Sequence, residues 1–291
     1  MRSSGRRTAL AGLALAAAVA ARAQEGGAPV TLRISPKVGD TLHTRFEQDV
    51  VMTGVTKVHG VDTSLVSRAS LLVLARVVVQ ASDSAGCTLL VITDSVSALT
   101  VGEQALTPSE SSRRAMQGRR IQLRLKRDGS AAFMDAPPNL DPEVGALVAA
   151  MPAVLPARAV AVGASWESAM AVPVDQDPDA AHGARLRASY RLDSLSAGGS
   201  RAYIGLRGII TRDSADAPVR SGARLASRGA VTGALVLDRA RGWWTDSRLV
   251  ISVGSTFTPP PGSDGPPVRV KTLITQRMRT EDAHAGGAPP D

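Results

Sequence analysis

Two long aliphatic runs separated by a turn constrain this chain most. Leu71 to Val79 is almost continuously apolar, Asp83-Ser84-Ala85-Gly86 is a turn sequence, and Cys87 to Val96 is apolar again. So short a connection leaves no room for a crossover helix, so the runs read as a buried antiparallel hairpin. Hydrophobic residues make up 44% of the chain but aromatics only 3%. The core must therefore be Val, Leu, Ile and Ala, and its β-branched members favour strands.

The same pattern continues along the chain. Ile121, Leu123 and Leu125 alternate with Gln122, Arg124 and Lys126, the period of a half-exposed strand, and Asp128-Gly129 then supplies a tight turn. A second hairpin spans 184–195 and 201–211, and further strand patterns cover 224–238, 243–257 and 268–280. The predicted fold is mainly β, a curved antiparallel sheet, half-barrel or sandwich, because about ten strand patterns occur with no alternating βαβ rhythm. Two segments interrupt it. Thr107-Pro108-Ser109-Glu110 matches a capping box and predicts a short helix over 108–117. The stripe Val144, Leu147, Val148 and Met151 predicts a helical connector over 140–156.

The amino terminus carries an address. Arg2, Arg6 and Arg7 precede an uncharged apolar run from Leu10 to Ala21, and Ala21-Arg22-Ala23 offers a cleavage site. Residues 1–23 read as a secretory signal, which predicts a periplasmic or secreted protein. The run is short of the ~20 residues a spanning helix needs, so no transmembrane span is expected after signal removal. The formal charge of +8 halves once Arg2, Arg6, Arg7 and Arg22 leave with the signal. The mild excess is spread along the chain and makes no nucleic-acid footprint. Cys87 is the single cysteine, so an internal disulfide is excluded.

Val38-Gly39-Asp40-Thr41-Leu42 recurs as Val162-Gly163-Ala164-Ser165-Trp166, and each copy precedes a strand pattern and then a hairpin. The expected organisation is a first β repeat at 24–139, the connector at 140–156, a second β repeat at 157–282 and a disordered tail at 283–291. Pro36-Lys37-Val38-Gly39-Asp40-Thr41 and Val162-Gly163-Ala164-Ser165-Trp166, behind an export signal, resemble an uncharacterised exported bacterial β-rich family of unknown function. The resemblance implies an extracytoplasmic, mainly antiparallel fold and brings no activity and no site residues.

No constellation specifies catalysis. His43, His59, His182 and His284 lack ligand spacing, so neither a metal nor another cofactor is expected. Ser165 is followed by Trp166-Glu167, which breaks the nucleophile-elbow pattern. Asp175 to Asp179 lacks the glycine and distant glutamate of a calcium loop. Strand parity over 243–257 groups Trp243 with Leu249, Ile251 and Val253 as a core row, and Trp244 with Asp246 and Arg248 on the other face. Trp244 and Arg248 are therefore the candidate binding residues, an indole beside a guanidinium. The functional reading is a non-enzymatic exported protein that binds a lipid-like, hydrophobic or amphiphilic ligand or an envelope partner. The alternatives are an extracytoplasmic hydrolase with an unrecognised centre and an interaction module of an envelope assembly.

Overall fold

The computed structural model describes residues 28–58, 61–101, 116–134, 154–172, 184–212, 224–263 and 265–282. The predicted signal, the tail and nearly all of both predicted helices lie outside these residues. Val154, Leu155 and Pro156, at the end of the expected connector, are not helical.

Eleven strands form one antiparallel sheet: β1 (Thr41–Val58), β2 (Val61–Ser82), β3 (Gly86–Val101), β4 (Arg120–Lys126), β5 (Ala131–Phe133), β6 (Ser165–Val172), β7 (Ala184–Leu195), β8 (Arg201–Arg212), β9 (Arg224–Asp238), β10 (Trp243–Thr258) and β11 (Val268–Asp282). Their spatial order is β5-β4-β3-β2-β1-β11-β10-β9-β8-β7-β6. The sheet does not close. Each half of the chain is a meander, and the halves meet where β1 pairs with β11. The two predicted repeats therefore share one continuous sheet.

Turn chemistry sets the strand ends. Gly39 and Gly163 have φ +90° and +88°, values that suit glycine. The Gly39 amide donates to the Val79 carbonyl (2.9 Å) and the Gly163 amide to that of Leu192 (2.7 Å). Val79 and Leu192 return amide bonds of 3.0 Å to Asp40 and Ala164. The two Gly elements picked out from the sequence thus start β1 and β6 through the same pair of bonds.

The β2–β3 turn is locked by Asp83. Its Oδ1 accepts from the Ala85 and Gly86 amides at 2.8 and 3.0 Å, and Arg124 Nη2 lies 2.5 Å from each carboxylate oxygen. The Arg124 hydrogen bond, helped by the two amides, holds the Asp83 carboxyl at about 2 instead of 3.8. A depressed folded-state pKa stabilises above the unfolded value, and the stabilisation disappears as pH falls through the folded one. The melting temperature of Asp83→Asn should therefore lie below wild type at pH 5, with the gap closing between about pH 4 and pH 2. A gap that stays constant over that window rules the linkage out.

The core lies at one end of one face, where Leu42, Val79, Cys87, Leu192, Ile204 and Leu237 are each at most 1% exposed. A single sheet cannot bury its own face, so something must cover it. The cover is the segment before β1. It joins no strand of the sheet and forms only an isolated bridge, Val30 to Val160. Leu32 and Ile34 insert into the core. The Ile34 amide donates to the Arg127 carbonyl in the β4–β5 turn, and the Ser35 amide to the Gly242 carbonyl in the β9–β10 turn, both at 2.9 Å. The segment thereby staples the two halves together across the core face.

Glycines on that face bend the sheet. A Cβ on Gly208 would lie 2.7 Å from Val231 Cγ1, and one on Gly233 would lie 2.5 Å from Leu249 Cδ2 and press on the Arg248 carbonyl. Backbones approach so closely where a sheet coils. Register shifts at 74/75, 79/81, 192/194 and 244/246 add local twist.

Candidate ligand-binding face

Cross-strand partners share a face, so the register sorts the side chains of the sheet into two sets. On the core face, Val96, Val73, Phe46, Met278, Ser247 and Leu235 form one row across β3, β2, β1, β11, β10 and β9. Two rows further along stand Ala69, Val50, Ile274, Ile251, Val231 and Gly208. Phe46, Val50, Val73, Ile251, Ile274 and Met278 are only partly buried. Between these rows, Gln276 Nε2 donates to Gln48 Oε1 at 2.6 Å, so the two amides satisfy part of each other's demand. The middle of the face holds no charged residue.

The opposite, polar face carries nearly all the charged side chains of the sheet, with Leu74, Ile209, Val250 and Leu273 exposed among them. It carries Arg45, Glu47, Arg76, Arg248 and Arg277, whose ion pairs include Arg45–Glu47 at 2.6 Å, Arg76–Asp94 at 2.8 Å and Arg277–Asp246 at 3.3 Å. Arg185, Arg187 and Arg191 alternate along β7 with Leu186, Ala188, Tyr190 and Leu192, and only the second set packs in the core.

Aromatic groups close one end. Trp166 stacks on Tyr190 with ring centroids 5.9 Å apart and planes 12° apart. The Trp166 indole donates to the Val154 carbonyl at 2.8 Å, which ties residues 154–160 down over β6. Burial raises the Tyr190 phenol pKa. Burial likewise raises the Cys87 thiol, against the pull of Arg127 and Arg124. With Cys87 fully buried, the thiol stays protonated and shielded from attack. Among the described residues, no group of three His, Cys, Asp or Glu side chains converges to hold a metal.

The structure does not bring Trp244 and Arg248 together. Trp244 pairs with Leu237 and Asp246 with Val236, which leaves Thr245 as an extra residue in β10. One extra residue flips the alternation. Trp244 therefore shares the face of Leu237 and Leu249 and packs against the core cluster. Arg248, opposite Ala234 and Arg277 on the polar face, pairs with Asp246 at 3.4 Å. Trp243 is buried, in line with its assignment to the core. The expectation of one shared face fails because parity counts residues and a bulge miscounts them.

One residue escaped sequence reasoning. Arg212 ends β8 on the buried parity of Ala202, Ile204 and Leu206, and is 7% exposed. The strand pattern expected from the sequence ends at Thr211. Carrying the alternation one step further would have placed an arginine on the core face.

No protein-family model matches this chain, and no curated protein does. Among solved structures, similarity extends to a structure titled for lipid–protein interactions in lipovitellin, with TM-score 0.47 and 10% identity over 88% of this chain and 27% of that one. The chain thus spans little more than a quarter of lipovitellin. A Pseudomonas aeruginosa structure, OccK5, matches with TM-score 0.26 and 6% identity over 85% of this chain and 100% of that one. An outer membrane channel from Pseudomonas putida F1 matches with TM-score 0.20 and 10% identity over 85% and 97% of the two chains. No helix among the described residues is long and apolar enough to cross a membrane.

Proposed function

We propose that this chain is an exported, non-enzymatic protein of the bacterial envelope that holds a hydrophobic or amphiphilic ligand against the core face of its sheet. The observation that carries this reading is the absence of charge from the middle of the core face. One end of the core face is filled by Leu32, Ile34 and Leu155. The rows beyond it are uncharged, mostly apolar and for the most part only partly buried. Apolar surface left unfilled beside a packed core gains free energy from an alkyl chain, at roughly 25 cal/mol per Å² removed from water. Ligand sites share this composition, a mostly apolar lining with a few polar groups. The export signal expected at 1–23 and the resemblance to exported β-rich proteins support a ligand met outside the cytoplasm.

The test is native mass spectrometry of the mature protein, purified from the envelope fraction without detergent exchange. A lipid-sized adduct that leaves on gentle activation is the expected result. A ligand-free monomer that neither arrives with lipid nor takes up an added long-chain amphiphile overturns the reading. A stoichiometric partner protein with no lipid adduct would point instead to an interaction module.

A further inference from the structure

Arg212 is the one positively charged side chain that the register of the described strands places on the core face. Its guanidinium Nη1 is buried and has no hydrogen-bond partner among the described residues. Other enclosed arginines each keep at least one partner, although Arg239 Nε and Arg277 Nε are also buried without one. Arg124 meets Asp83 at 2.5 Å, Arg277 meets Asp246 at 3.3 Å, and Arg127 Nη1 donates to the Ile34 carbonyl at 2.9 Å. A guanidinium cannot shed its proton, so burial cannot neutralise it. Leaving a buried N–H of a charged group without a partner is costly.

The surroundings of Arg212 are suited to an anion with a tail. Ser227 stands opposite it on β9, and Ser255 opposite Ser227 on β10. The two hydroxyls lie 2.9 Å apart and bond to each other, leaving further donor and acceptor capacity at this corner. The next row towards the middle of the sheet is Ile210, Gly229 and Val253. From there to the stapled end the face is uncharged. A polar corner with one fixed cation at the end of an apolar track matches a molecule with one anionic head and one alkyl chain.

We propose that Arg212, with Ser227 and Ser255, is the headgroup site for an amphiphile with a single anionic head whose hydrocarbon chain runs along the core face. The headgroup is a carboxylate or a phosphate monoester, either of which the guanidinium can grip in bidentate fashion. This rests on the ligand-binding reading above and adds a preference for acidic over neutral lipids.

Displacement of a fluorescent fatty-acid probe tests it, with oleate, oleyl alcohol and dodecyl phosphate as competitors. Wild type should bind oleate about tenfold or more tighter than oleyl alcohol, the worth of a charge-assisted hydrogen bond. Arg212→Gln should erase that preference, and Arg212→Lys should restore part of it. Relative affinity for laurate and dodecyl phosphate identifies which head is preferred. The wild-type comparison needs no variant, so a folding defect in either mutant does not protect the proposal. Equal binding of oleate and oleyl alcohol by wild type overturns the headgroup site but leaves the apolar face standing. Displacement by inorganic phosphate at the same concentration as dodecyl phosphate also overturns it, because the tail would then contribute nothing. Failure of wild type to bind any of these amphiphiles overturns the ligand-binding reading, and the headgroup site falls with it.

Discussion

Trp243→Ala should lower the free energy of unfolding by about 3–5 kcal/mol, the range for large aromatic truncations in a packed core. Trp243 is 8% exposed and sits in the cluster formed with Leu237 and the stapling segment. Trp244→Ala should also destabilise, by about 1–3 kcal/mol, since a half-buried indole removes less area from water. Urea titration of both variants checks the pair. The second value is diagnostic, because strand parity without the bulge puts Trp244 on the polar face, where its loss costs almost nothing. A midpoint for Trp244→Ala equal to wild type would mean that Thr245 is not an extra residue and that Trp244 does not share a face with Leu237.

Gly242→Ala should be comparably damaging for a different reason. Gly242 has φ +65°, which costs an L-residue about 1–2 kcal/mol. An added Cβ would also lie 2.6 Å from the Ser35 carbonyl carbon and 2.5 Å from its Oγ. That neighbour is backbone of the stapling segment and can yield only by lifting away. The combined cost is expected to be about 2–4 kcal/mol, with new protease cleavage within residues 28–36. Gly39→Ala is the matched control. Its φ is +90°, but an added Cβ meets nothing within 4 Å, so only the conformational cost should appear. Equal melting temperatures for the two variants would show that the segment does not depend on its seat at Gly242.

The two predictions separate what was readable along the chain from what was not. Hairpins and their turns were legible because their causes are local. Asp83 accepts from amides two and three residues away, and Gly39 and Gly163 adopt a φ that their own lack of Cβ allows. The aliphatic alternation along β7 and β8 likewise announced one buried and one exposed face. The candidate pair Trp244 and Arg248 was misplaced by the same alternation. Nothing in Trp244-Thr245-Asp246 marks a bulge, and the evidence for it is the partner strand, where Leu237 and Val236 are consecutive.

The sequence by itself determined that this is a mainly antiparallel β protein with an aliphatic core, where most of its strands begin and end, and which side chains alternate within each. These follow from backbone freedom and side-chain period, which act over a few residues. Only the tertiary structure decided that β1 pairs with β11, bringing Leu42 opposite Asp282, that residues 30–36 cover the core rather than join the sheet, and that Arg212 is buried on the apolar face. Each depends on contacts between segments distant in the chain. Such contacts form because a whole face must be removed from water at once, and no short stretch of residues carries that demand.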